Sequence, residues 1–104
     1  MRSYRNRLDI VADVLHVVSR RARKTQIMYQ ANLSFTLLNK YLIEATEATL
    51  IRLDEKEGFF MLTPKGKRFL EKYREYSKTN KHVERQLKTV QTKRRTLEEL
   101  CPSK

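Results

Sequence analysis

The last third of the chain constrains its fold more than any other part. From Lys65 to about Leu100 nothing stronger than Gly66, in the first turn, interrupts a helix. An apolar or aromatic repeat alternating by four and three runs through the segment. Phe69, Tyr73, Tyr76, Asn80, Val83, Leu87, Val90, Arg94, Leu97 and Cys101 share one heptad register. That register predicts a single long helix whose seam requires a second helix. The preceding residues are too few and too differently patterned to line the whole seam, so the sequence predicts a homodimer. A helix of about 36 residues is roughly 54 Å long. Nothing between Tyr76 and Val90 supplies the turn that a folded-back hairpin needs.

The seam also bears on orientation. Tyr73, Asn80, Leu87, Arg94 and Cys101 take position a, and Phe69, Tyr76, Val83, Val90 and Leu97 take position d. A parallel in-register pair would set Arg94 against Arg94. An antiparallel pair opposes a with d. Crossing near residue 85, it places Val83 against Leu87, Asn80 against Val90, Tyr76 against Arg94 and Tyr73 against Leu97. Arg94 over Tyr76 would add a cation–π contact worth ~0.5–2 kcal/mol. Cys101 reads as a small filler of the seam, and a single cysteine forms no internal disulfide and fits a reducing cytoplasm.

Charge points to a polyanionic partner. The 104 residues carry a net charge of +11, and a small chain this basic suggests nucleic acid first. Residues 1–24 hold seven Arg/Lys against two acids, residues 25–63 three against five, and residues 64–104 thirteen against five. The middle is therefore slightly acidic between two basic flanks. No apolar run reaches the ~20 residues of a membrane span, and the N-terminus lacks the apolar stretch of a signal peptide.

The front part divides by period. Arg2 to Asn6 form a basic arm. Leu8, Val11, Ala12, Leu15 and Val18 repeat at helical spacing, widened by Ile10, Val14 and Val17, and predict a buried first helix ending in Ser19-Arg-Arg-Ala-Arg-Lys24. Thr25 is the expected cap of a second helix, Gln26 to about Ala31. Ser34 caps a third over 34–48, with Phe35, Leu38, Tyr41, Leu42 and Ala45 as its apolar positions. Leu50–Leu53 and Phe59–Leu62, around the polar turn Asp54–Gly58, predict a hairpin. Thr63-Pro64 then opens the long helix, with Gly66 a mild cost near its end.

Three helices, a hairpin and a helix make a mostly α fold with a small β-hairpin, in the order of a winged helix-turn-helix. The expected division is a DNA-binding domain over 1–63 and a dimerisation helix over 64–104. In such a fold the third helix enters a major groove and presents its N-terminal residues to base edges. Ser34, Thr36, Leu37, Asn39 and Lys40 are exposed there: Ser and Thr suit bases or phosphates, Asn suits adenine, and Lys suits guanine or phosphate. Gln26, Tyr29 and Gln30 on the second helix reach backbone. The wing tip Asp54-Glu55-Lys56-Glu57 is acidic, so Arg52 and Lys56 contribute modestly. Glu44 and Glu47 keep the far end of the third helix from phosphates. Backbone neutralisation falls to Arg5 and its arm, to Arg21, Arg23 and Lys24, and to Lys/Arg of the long helix, each contact adding roughly 0.9 to the salt slope.

The stretch Lys24-Thr-Gln-Ile-Met-Tyr-Gln-Ala-Asn-Leu-Ser-Phe35, with Tyr41-Leu42, Leu62-Thr-Pro-Lys-Gly66 and Phe69-Leu70, resembles archaeal winged-helix proteins. Among these it is similar to the ten-kilodalton chromatin-associated DNA-binding proteins first known from Sulfolobus. The resemblance covers residues 5–76 closely and the tail by architecture. It implies a dimer joined by an antiparallel coiled coil, a winged helix at each end, and DNA binding with modest sequence preference; the chain is expected to be either chromatin-associated in the nucleoid or a transcriptional regulator. Thr49 stands where that pattern has Gly, which predicts a different end to the third helix. Glu44 and Thr46 take places often apolar, which predicts a more exposed back to it.

Catalytic chemistry is not spelled out. His16, expected at the core edge, His82 and Cys101 are too scattered for a metal set, and Asp9 and Asp13 read as a solvated face. No phosphate loop or nucleophile elbow is present, so neither an enzyme, a cofactor nor a small-molecule ligand is expected. The alternative to DNA binding is a protein-interaction module on the same scaffold, favoured by the acidic middle. RNA is a weaker third, resting on Tyr4, Tyr29 and Tyr41 as stacking platforms.

Overall fold

The computed structural model describes residues 4–103; Arg2 of the basic arm lies outside them. Among the described residues the order is helix α1 (Arg7–Val18), helix α2 (Lys24–Gln30), helix α3 (Phe35–Glu47), strand β1 (Ile51–Asp54), strand β2 (Phe59–Leu62) and helix α4 (Pro64–Leu100). The mostly helical fold with a hairpin and a long final helix is the expected one. The chain divides into two compact units, Met1–Tyr73 and Arg74–Lys104. The first turns of α4, up to Tyr73, fall in the first unit.

The head is built on α1. Asn6 caps it through a reciprocal box: the Asp9 amide donates to Asn6 Oδ1 (2.9 Å) and the Asn6 amide to Asp9 Oδ2 (3.0 Å). Asn6 therefore starts the helix, not merely ends an arm; such a cap is worth about 1 kcal/mol. The helix buries Val11, Ala12, Val14, Leu15 and Val18. Leu8, counted in the stripe, is exposed, and His16 faces solvent, not the core edge. Asp9 and Asp13 are not a solvated face. Asp9 also accepts from the Tyr73 hydroxyl, and Asp13 pairs with Arg5 at 3.0 Å.

Helix α2 begins two residues earlier than expected, at Lys24: Arg23 is its N-cap and Thr25 lies inside it, without a side-chain cap. It closes on Asn32 at φ +53°, with Leu33 N–H donating to the Met28 carbonyl (3.0 Å). Asn tolerates this left-handed position, so the turn into α3 is sharp without glycine. Ser34 caps α3 as predicted, accepting from Leu37 N–H at 3.2 Å. Leu38, Tyr41, Leu42 and Ala45 are buried, but Phe35 is 63% exposed, against expectation. One helical step from Ser34 turns it outward while Leu38 takes the core.

The end of α3 corrects another expectation. Thr49 takes φ +59°; its amide donates to the Thr46 carbonyl and that of Leu50 to the Ala45 carbonyl, both at 2.9 Å. This is the helix end a glycine would make, adopted here by threonine. Strands β1 and β2 pair antiparallel with Ile51 opposite Leu62 and Asp54 opposite Phe59. Ala22 adds a one-residue third strand: its amide donates to the Phe60 carbonyl (3.2 Å) and its carbonyl accepts from Phe60 N–H (2.8 Å). Side-chain period alone predicts only the two strands of the hairpin.

Thr63 caps α4, accepting from Gly66 N–H at 3.0 Å. Gly66 is more than a tolerated cost. A Cβ there would lie 2.2 Å from the Leu50 carbonyl oxygen and 2.7 Å from Leu62 Cδ1. Phe69 and Leu70 pack on the core. The Phe69 and Tyr73 rings stack, with centroids 6.5 Å apart and planes 7° from parallel. Both were assigned to the seam, yet the chain itself engages them. In the second unit Tyr76, Val83, Leu87, Val90 and Leu97 are 47–67% exposed in the single chain, and Cys101 is exposed as well. Arg94 pairs with Glu98 at 2.9 Å within the helix, and Asn80 donates to Glu84 at 3.4 Å.

Candidate nucleic-acid interface

Burial of Leu38, Tyr41 and Leu42 fixes the rotation of α3 and turns Thr36, Leu37 and Lys40 to solvent at its N-terminal half. Asn39 is half-buried. With Lys24, Ile43, Glu47 and Phe60 it lines a shallow hollow of about 310 Å³ between α3 and β2. Ser34 lends its hydroxyl to the cap, so a phosphate would share it. Gln26, Tyr29 and Gln30 are all exposed on α2, with Tyr29 at 75%.

The cations beside this face are held by rings. Ala22 is buried in the sheet, so its neighbours Arg21 and Arg23 project outward. Their guanidinium carbons lie 5.7 and 4.3 Å from the Phe59 ring centroid. Lys24 Nζ sits 4.9 Å from the Phe35 centroid, and Lys40 Nζ 5.3 Å from that of Tyr41. An aromatic face orients a cation without neutralising it, unlike a carboxylate. Among the described residues none of these four side chains is in an ion pair. Phe35 and Phe59 were not among the site residues read from the sequence. The outward Phe35 follows only from helix rotation, whereas Arg21-Ala22-Arg23 carries a period-two signal, charge flanking a small apolar residue.

Other predicted residues sit differently. Arg5 does not face outward as a free arm residue. Its guanidinium pairs with Asp13 and donates to the carbonyls of Ala31 (2.6 Å) and Asn32 (2.8 Å). It ties α1 to the α2–α3 turn and satisfies carbonyls at that helix end. Arg52 is exposed on β1, and Lys56 is exposed at the wing tip. Asp54 is not a plain surface acid: it accepts from the amides of Lys56 (3.1 Å) and Glu57 (3.2 Å) and shapes the turn. Gly58, at φ +74°, closes that turn. Glu44 pairs with Arg7, while Thr46 is exposed and its hydroxyl donates to the Leu42 carbonyl at 2.7 Å. Among the described residues no group of acids, histidines and cysteine is placed to hold a metal ion.

This arrangement of α2, turn, α3 and hairpin agrees with a family model for the winged helix-turn-helix, which matches residues 4–81. The chain belongs to the winged helix-turn-helix family. This winged helix-turn-helix chain is also 35% identical over 72 residues to an uncharacterized protein of Methanocaldococcus jannaschii. That overlap covers 68% of the chain and 33% of the relative, so the chain spans about a third of the length of the curated relative it matches. Its fold is similar to the crystal structure of Sso10a-2, a DNA-binding protein from Sulfolobus solfataricus. The TM-score is 0.71 at 18% identity, covering 96% of this chain and 100% of that one. The likeness is one of fold.

Proposed function

We propose that this winged helix-turn-helix chain binds double-stranded DNA as a homodimer, as a nucleoid-associated protein of the cytoplasm with modest sequence preference. One observation carries the reading. Four cations are held by aromatic rings, Lys24 and Lys40 by those of α3 and Arg21 and Arg23 by Phe59 of the hairpin. In a major groove Thr36 and Lys40 meet base edges or phosphate, and the arginines grip the backbone. The exposed residues Tyr76, Val83, Leu87, Val90 and Leu97 form the dimer seam. The winged helix-turn-helix family and the DNA-binding protein of like fold support the duplex as ligand.

Four phosphate contacts predict a log–log salt slope of about −3 to −4 per head. The test is a salt titration on random duplex, a selected duplex, single-stranded DNA and RNA in parallel. Duplex is expected to bind tightest, with less than tenfold preference for the selected site. A preference above a thousandfold would make the protein a gene regulator. The acidic wing tip favours a second reading, a protein-interaction module; absence of duplex binding at ~50 mM salt selects it.

A further inference from the structure

The second unit carries charge in a pattern that the head does not explain. Arg74, Lys78, Lys81, Arg85, Lys88 and Arg95 are all exposed on α4. At 3.6 residues per turn they fall within an arc of about 100°. The centre of that arc is opposite the exposed apolar line of Val83, Leu87 and Val90. Among the described residues none of the six is in an ion pair. No acid lies within the arc until Glu99; Glu84 flanks it and is bonded to Asn80.

A merely solvated face would not look like this. Solubility is served by mixed charge, and an acid four residues from a cation strengthens a helix; Glu84 before Lys88 and Glu99 after Arg95 have this spacing, while the remaining four cations of the stripe have none. Like charges at i,i+3 and i,i+4 instead weaken it, and this stripe repeats them from Arg74 to Lys88. From Arg74 to Arg95 the helix advances roughly 32 Å, close to the ~34 Å of one duplex turn. Duplex DNA offers a negative charge about every 1.7 Å along its axis. Because the stripe lies behind the seam, dimerisation leaves it open.

We infer that the stripe on α4 is a second, sequence-independent binding surface for the sugar-phosphate backbone of duplex DNA. It rests on the reading of the protein as a DNA-binding dimer and adds a contact apart from the heads. In an antiparallel pair the two stripes face opposite sides, so one dimer can hold two duplexes.

The test uses the full chain. Lys78→Gln, Lys81→Gln, Arg85→Gln and Lys88→Gln together should leave helicity and sedimentation unchanged. They should lower the salt slope by about 3 to 4 per protomer and weaken duplex binding at least tenfold at ~100 mM salt. A photo-crosslinker on Thr92→Cys, within the arc, in a Cys101→Ser background should form DNA adducts. The same group on Thr79→Cys, beside the seam, should not. An unchanged slope overturns the inference while duplex binding by the heads stands. A lowered slope without adducts at Thr92, or with equal adducts at both positions, reports net charge only and overturns it too. Should the fourfold variant lose helicity or dimerise poorly, the two crosslinking chains decide alone. If the unaltered chain ignores duplex, the DNA-binding reading itself falls, and this inference with it.

Discussion

Thr49 holds a backbone conformation that favours glycine, at φ +59°. A β-branched residue there costs about 1–2 kcal/mol. Its hydroxyl recovers part of this by donating to the Ala48 carbonyl at 2.6 Å. Thr49→Gly should therefore stabilise the head by roughly 0.5–1 kcal/mol, raising Tm by ~4 °C for a unit of this size. Thermal denaturation followed by circular dichroism checks it; a lower Tm would mean the hydroxyl matters more than the strain. Gly66 predicts the opposite sign. Helix propensity alone favours Gly66→Ala by up to about 1 kcal/mol. The Leu50 carbonyl oxygen, 2.2 Å from the new Cβ, forbids it. Displacing α4 from β1 should cost about 2 kcal/mol or more. Unfolding in urea would show a lower midpoint; an unchanged or higher one would place the helix start farther from the strand than described.

At the scale of elements, periodicity made the helices and both long strands legible. Val11, Leu15 and Val18 recur at helical spacing, and Ser34 and Thr63 announce their caps, because side-chain period and local hydrogen bonds are written in neighbouring residues. What escaped was written in distant ones. A one-residue strand at Ala22 has no period, and its partner Phe60 is far along the chain. Phe35 satisfies the apolar pattern of α3 yet points outward, because a helix stripe narrower than its apolar count leaves residues over, here Phe35, Leu37 and Ile43. Gly66 looked like a propensity cost because the carbonyl it makes room for lies sixteen residues earlier. The candidate cations were legible as charge, but not their aromatic supports. Phe59 should matter accordingly. Phe59→Leu keeps an apolar side chain while removing the face under Arg21 and Arg23. Duplex affinity should fall about three- to tenfold, as one or two cation–π contacts at ~0.5–1 kcal/mol are lost. The salt slope should stay unchanged, since no charge is removed. Parallel titrations of the two proteins measure both; a loss of slope would mean the guanidiniums no longer reach the backbone at all.

For the molecule as a whole, the decisive question is what covers the apolar line of the second unit. Most helical stability in proteins comes from tertiary packing of an amphipathic face, not from propensity, and among the described residues between Arg74 and Leu100 Arg94–Glu98 is an ion pair within the helix. Propensity and that pair do not account for so long an uninterrupted helix, whereas a second copy of the same seam does. If the antiparallel register crossing near residue 85 holds, Val83 of one protomer meets Leu87 of the other, twice. Val83→Ser with Leu87→Ser then removes four aliphatic side chains from the centre of the dimer. At about 1–2 kcal/mol for each partly buried side chain, dissociation should rise at least a thousandfold. Sedimentation should move from about twice 12.5 kDa toward the chain mass of 12.5 kDa. Helicity should fall by the share of α4 beyond Tyr73, while the head, whose core lies within Met1–Tyr73, melts as before. The salt slope per particle on duplex should drop to about half, because one head and one stripe leave with the partner. Should the unaltered chain already sediment at 12.5 kDa across micromolar dilution, with α4 still helical, the seam serves something other than a second copy.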